Sequence, residues 1–233
     1  MLFFVTVAHE LGKKLRAGTI VQSSGVATRS SRPRSFRIIC INLLTMRIKV
    51  INPNTNVSMT EKIGAAAVAV ASPGTEIVAC NPVSGPTAIE GHYDEAMSVV
   101  GVLEEISKGE AAGIDGYVIA CFGDPGLLAA RELAKGPVLG IAEAAMHAAS
   151  FISTGFSIVT TLERTRVIAQ HLVDNYGMTR FCHKVRAIDL PVLSLETPHA
   201  KTAILQECRL ALEEDHCGRS YLVVVAWLIY QLS

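Results

Sequence analysis

The chain has 233 residues, half of them hydrophobic, with 21 Lys or Arg balanced by 21 Asp or Glu. That length can bury a substantial core in one domain or two small ones, and the body after residue 45 carries no sign of a basic nucleic-acid-binding surface. The balance hides an asymmetry, because residues 1–45 carry seven Lys or Arg against the single acid Glu10, which leaves the remaining body mildly acidic.

Residues 1–45 lack the periodicity of a core element and cluster Ser and Arg at 30–35. They read as an extension outside the fold, disordered or loosely docked. It is either a basic, Ser-rich transit segment or a foreign or wrongly started leader. From Met46 the pattern changes. Strands are expected at 48–51, 76–80, 115–121, 138–139, 157–160 and 185–188, with helices at 58–70, 93–108, 127–134, 143–151, 162–176 and 200–214. Alternation at this spacing predicts an α/β protein with parallel sheets. The apolar stretch 221–232 is too short to span a membrane and is expected to act as a strand.

Cysteines stand at 40, 80, 121, 182, 208 and 217, with neither metal-ligand spacing nor the density of a disulfide scaffold. This usage predicts a reducing compartment and a cytoplasmic protein, or a mitochondrial one if residues 1–45 are a working transit segment. Cys121 is the most informative of the six. It ends an apolar run and precedes Phe-Gly-Asp-Pro-Gly at 122–126, which places the thiol at the carboxyl end of a strand. Open α/β sheets bind ligands there. A helix N-terminus beyond the loop is expected to favour the thiolate, the form that acts as base or nucleophile. The competing reading of Cys121 is a small buried hydrophobe.

Several ordered segments decide between these readings. They are Arg-Ile-Lys-Val-Ile-Asn-Pro-Asn-Thr at 47–55, Ala-Cys-Asn-Pro at 79–82, Ile-Glu-Gly-His-Tyr-Asp-Glu-Ala at 89–96 and the stretch around Cys121. Gly-Ile-Ala-Glu-Ala-Ala-Met-His-Ala-Ala at 140–149 and Phe-Ser-Ile-Val-Thr-Thr at 156–161 continue the series. Together they resemble the hydantoin and allantoin racemases of the aspartate/glutamate racemase superfamily over roughly residues 46–216. The resemblance implies two similar parallel-sheet α/β domains facing each other across a cleft. Residues 46–137 would form the first, completed by 217–233, and residues 138–216 the second. It further implies a homo-oligomer acting on a small-molecule ureide, without pyridoxal phosphate, metal or other cofactor, and with no nucleic-acid or membrane partner.

Inverting a carbon next to a carbonyl means removing a proton from one face and returning one to the other, so two acid/base groups must flank the substrate plane. In the resembling racemases two cysteines do this, and Cys121 matches the first. Asn52 and Asn54 are candidates to bind a ring amide or carbonyl, or else to serve as a helix cap or Asx-turn. Thr160 and Thr161 are candidates to stabilise a developing enolate oxygen, or to cap the next helix. Phe122 is a candidate pocket wall. Glu143 and His147 share a helix face and read either as an acid/base pair or as a helix-end interaction. His92, Asp94 and Glu95 have no assigned chemistry.

The chain departs from the family after Asp215. A Gly-Cys-Gly/Ala-Gly-Met motif is expected there, yet Val-Val-Val-Ala-Trp-Leu-Ile-Tyr-Gln-Leu occupies 223–232 and no cysteine follows Cys217. Neither Cys208 nor Cys217 takes the second thiol's place. The residues 222–231 admit codons that, read two bases out of frame, spell Gly-Cys-Gly-Gly-Met-Ala-Asp-Leu-Ser. The terminus is therefore read as a frame-shifted family ending, which requires Val223 to be encoded by GTT. Two alternatives are kept: a one-thiol lyase or isomerase resembling arylmalonate decarboxylase, and a non-enzymatic ligand-binding remnant.

Overall fold

The computed structural model describes residues 46–215 and the backbone of 221–225. The extension 1–45, Cys217 and the tail after Val225 lie outside the described residues. Two parallel sheets carry the fold. The first has four strands and the second three among the described residues.

In the first sheet β1 (Met46–Ile51) pairs with β2 (Thr75–Cys80) on one side and β3 (Gly116–Ile119) on the other; β4 (Val138–Gly140) pairs with β3. Helix α1 (Val57–Val68) links β1 to β2, α2 (His92–Ala111) links β2 to β3, and α3 (Leu127–Leu133) links β3 to β4. The Asn56 side chain caps α1 by accepting from the Met59 N–H at 3.1 Å, which satisfies one of the free donors of its first turn. Ile51, Val102, Ile106, Tyr117, Ile119 and Ala130 form one side of this sheet's core, and Val50, Met59 and Ile63 the other. Lys49 is also buried there. Its ammonium is satisfied by the Glu105 carboxylate at 2.8 Å and the Glu105 carbonyl at 2.7 Å.

The second sheet is centred on β5 (Gly155–Thr160), every residue of which is buried. It is flanked by β6 (Cys182–Ala187) and β7 (Tyr221–Val225). Helices α4 (Ile141–Ile152), α5 (Thr165–Asn175) and α6 (Pro198–Glu214) complete this half. Phe122, Ala142, Met146, Ala149, Phe156, Ile158 and Val173 share one core, so the loop after β3 packs into the second half of the molecule. The buried Arg186 guanidinium meets Glu207 at 2.9 Å, Glu214 at 2.7 Å and Asp215 at 2.6 Å. These contacts fasten the end of α6 to β6, and the three carboxylates hold the guanidinium well above its ordinary pKa.

Two expected boundaries move. Val138–Gly140 was assigned to the second half, but its register with Tyr117 and the bond from the Tyr117 N–H to the Pro137 carbonyl at 2.9 Å make it an edge strand of the first sheet. The crossing between halves is therefore α4, whose buried face packs in the second core. The C-terminal segment was expected to complete the first half. Instead β7 runs parallel to β5, with Tyr221 level with Gly155 and Val225 level with Val159. With the end of α6 tied to β6, the chain returns along the open edge of the central strand. Val192 crosses the other way and packs on Val50, Met59 and Ile63 of the first half.

Candidate active site

Strand β3 ends at Ile119, two residues earlier than expected, and Cys121 opens a tight loop. The Asp124 N–H donates to the Cys121 carbonyl at 3.0 Å, and the Leu127 N–H donates to the Asp124 carbonyl at 3.2 Å. Asp124 sits in the left-handed region at φ 45°, immediately before Pro125, a conformation that costs energy for a residue with a side chain. Its carboxylate offsets that cost. It accepts from the N–H groups of Ala142 at 3.0 Å and Glu143 at 2.8 Å, at the start of α4, and from the Tyr176 hydroxyl at 2.9 Å. Asp124 thus pins the thiol-bearing loop to α4 and to the end of α5. Burial pushes its carboxyl up to about 6 against these bonds.

A cleft of about 40 Å³ opens between the carboxyl ends of the two sheets. Cys121, Phe122 and Gly123 line it from the β3 loop, and Thr160 and Thr161 from the end of β5. Glu95, Ile89, Thr165, Ile168, Ala169 and Val192 complete the wall. The structure therefore brings together four of the six candidates: Cys121, Phe122, Thr160 and Thr161.

Asn52 and Asn54 are buried beside β1 but are not among the lining residues. The Asn52 amide donates to Asn54 Oδ1 at 2.8 Å and to Thr60 Oγ1 at 2.9 Å. Asn54 Oδ1 also accepts from the Asn56 N–H at 2.9 Å, and the Asn54 amide reaches Met59 Sδ at 3.1 Å. Their side chains are engaged in holding the turn into α1, which is the Asx-turn alternative.

The thiol departs from expectation in its electrostatics. Burial, with smaller contributions from the carboxylates of Glu95 and Asp124, pushes Cys121 up to about 12, and a bond from the Gly123 N–H opposes this. Helix α3 begins only at Leu127 behind a Gly126 cap, and the one backbone N–H that favours the thiolate is that of Gly123 in the loop. Cys121 at neutral pH is a proton-loaded thiol. Cys80, Cys182 and Cys208 are pushed up as well, and none of the three lines the cleft.

Neither Thr160 nor Thr161 caps α5, whose N-cap is Arg164. The hub is Thr165, which no sequence motif marks. Its hydroxyl lies 2.9 Å from Thr160 Oγ1 and 3.4 Å from Thr161 Oγ1, and donates to the Leu162 carbonyl at 2.7 Å. Three hydroxyls are thereby gathered on the wall contributed by the second sheet. Glu143 pairs with Arg131, and His147 bonds the Glu143 carbonyl at 2.8 Å, so these two form a helix-end arrangement away from the cleft.

Glu95, to which the sequence assigns no chemistry, is the ionisable carboxylate in the cleft wall. Its Oε2 meets His92 Nδ1 at 3.1 Å, and the His92 ring stacks on His171 at 5.5 Å between centroids. A β-carbon on Gly123 would stand 2.1 Å from Glu95 Oε1, so the glycine is what lets the carboxylate approach this backbone. Burial raises the Glu95 pKa, and the His92 bond opposes the rise. Its only signal in the sequence was its place in the Gly-His-Tyr-Asp-Glu run at 91–95.

A parallel two-sheet α/β fold, with a half-buried thiol and a row of hydroxyls lining one cleft, has the parts for proton transfer at carbon, the chemistry of an isomerase. The Asp/Glu/Hydantoin racemase family pattern matches residues 48–219, and the chain belongs to that family. A hydantoin racemase from Rhizobium meliloti is 53% identical over 172 residues, covering 73% of this chain and 71% of that protein. The solved structure of an allantoin racemase from Klebsiella pneumoniae is 58% identical. It superposes with a TM-score of 0.75 over 78% of this chain and 74% of that one. An arylmalonate decarboxylase variant, 13% identical with a TM-score of 0.58, shares the fold. The protein is a racemase of the isomerase class.

Proposed function

We infer that the chain is a cofactor-independent racemase of a five-membered ureide, a 5-substituted hydantoin or allantoin, with Cys121 carrying the proton on one face. The observation that carries this reading is the cleft itself, in which the Cys121 loop faces Thr160, Thr161 and Thr165. A ring carbonyl placed against the hydroxyls would receive hydrogen bonds that strengthen as its oxygen becomes an enolate. Phe122 walls the same space. The raised thiol pKa keeps Cys121 protonated at neutral pH, so the proton that an enolate takes up is in place. Its service as base requires the small thiolate fraction or a pKa lowered on substrate binding. Similarity to a hydantoin racemase and an allantoin racemase supports the substrate class.

No other cysteine among the described residues lines the cleft, so the second face is the point at which this chain differs from a two-thiol racemase. Cytoplasmic placement and homo-oligomeric assembly belong to the same proposal, supported by the cysteine usage and by the family. The test is incubation of single enantiomers of 5-methylhydantoin and of allantoin in heavy water, with inversion and deuterium uptake scored separately against Cys121→Ser. Uptake that Cys121→Ser removes is expected. Uptake with inversion means two working faces, and uptake without inversion means one. Absence of both favours the non-enzymatic remnant and sinks the proposal.

A further inference from the structure

We propose that Glu95 determines which substrates enter the cleft: its carboxylate accepts a hydrogen bond from a ring N–H of a neutral cyclic ureide and repels molecules that bring a carboxylate of their own. The proposal rests on the ureide reading above. Glu95 is the only Asp, Glu, Lys or Arg among the described residues lining the cleft, whose other walls are apolar groups, the thiol, backbone and three hydroxyls. Its side chain is 16% exposed, so the charge acts across the cleft with little screening by bulk water. The guanidinium of Arg164, the residue before the lining Thr165, is committed to Glu90 at 2.7 Å, and Glu90 also accepts from the Val192 N–H at 2.8 Å.

The carboxylate is held in place. His92 fixes Oε2, the stacked His171 ring supports His92, and Gly123 leaves room for Oε1 beside the loop that carries the sulfur. An acceptor so placed suits a ligand rich in N–H donors. A hydantoin or allantoin ring has such donors and no carboxylate, whereas an amino acid or a malonate brings a like charge. Bringing two like charges into one small cleft is disfavoured, which separates ligands that are otherwise alike in size.

The test compares three ligands of one skeleton by calorimetry: 5-methylhydantoin, its ring-opened acid N-carbamoylalanine, and the uncharged N-carbamoylalaninamide. The parent chain is expected to bind the hydantoin and the amide, and to bind the acid at least about tenfold more weakly than the amide. Glu95→Gln is expected to bring acid and amide within about threefold of each other. Equal binding of acid and amide by the parent chain overturns the proposal, and that comparison needs no variant should Glu95→Gln fail to fold. A folded Glu95→Gln that keeps the full gap overturns it as well. If neither 5-methylhydantoin nor allantoin binds the parent chain, the ureide reading falls and the proposal with it; binding of the hydantoin with no acid/amide gap removes only the role of Glu95.

Discussion

Burial pushes the Cys121 thiol up to about 12, with the Glu95 and Asp124 carboxylates adding to the effect, and that sets how the residue reacts with pH. The thiolate is the nucleophile, so alkylation of Cys121 by iodoacetamide, followed by peptide mass, is predicted to accelerate about tenfold per pH unit from pH 7 to 10. A plateau beginning near pH 9 would show an ordinary thiol and contradict the electrostatics described here. Asp124 gives a second test. Its folded pKa, about 6, lies above the usual carboxylate value, so the associated stability is full below about pH 4 and is lost as pH rises through 6. Asp124→Asn removes that titration and one acceptor oxygen from the set serving Ala142, Glu143 and Tyr176. The variant is expected to be about 1–3 kcal/mol less stable at pH 4. The gap should narrow towards pH 7, as read from urea midpoints. A gap that widens with pH would contradict the assignment. The position of Cys121 was legible in the sequence because an apolar run broken by Gly and Pro marks a strand end. Its pKa was not, because the carboxylates beside it come from α2 and from a left-handed loop residue that no periodicity reveals.

Helix α2 lies against β3 through Gly109, where a β-carbon would stand 2.6 Å from the Tyr117 ring. Gly→Ala in a helix ordinarily gains up to about 1 kcal/mol, but overpacking a buried aromatic ring costs about 1–3 kcal/mol. The collision wins, and Gly109→Ala is predicted to lower the urea midpoint; a raised midpoint would show that the helix can shift outward without loss. Element identities were readable throughout. Each of the six predicted strands and six predicted helices overlaps an observed one, since βαβ spacing and apolar runs dominate the pattern. Contacts remote in sequence were not readable. The Val138–Gly140 strand is too short to declare its sheet, and only its pairing with Tyr117 assigns it. Asn52 and Asn54 illustrate the same limit. An amide at a strand end serves a ligand or a turn equally well, and here it is the neighbouring Asn56 and Thr60 that take up its bonds.

At the scale of the whole molecule, the two sheets meet with Cys121 on one side of the cleft and the Thr160 hydroxyl row on the other. The last strand, β7, runs parallel to β5 and ends level with Val159, one residue before Thr160. Its carboxyl end therefore points to the same edge of the second sheet as the cleft hydroxyls. That direction agrees with the family expectation of a thiol following this strand, and it gives the frame-shift reading a functional test. Replacing residues 218–230 with Ala-Ile-Val-Leu-Gly-Cys-Gly-Gly-Met-Ala-Asp-Leu-Ser is predicted to raise inversion of 5-methylhydantoin by about 10²–10⁴-fold, the usual yield of a positioned acid/base group. An unchanged rate in a folded chimera would mean that the second face is already served. The most direct measurement is deuterium incorporation at C5 of a single 5-methylhydantoin enantiomer in heavy water, corrected for the buffer background, with the parent chain and with Cys121→Ser. Incorporation by the parent chain that vanishes in the variant is the predicted result; no incorporation by the parent, or equal incorporation by both, would contradict the assignment of Cys121 as the proton-transfer group.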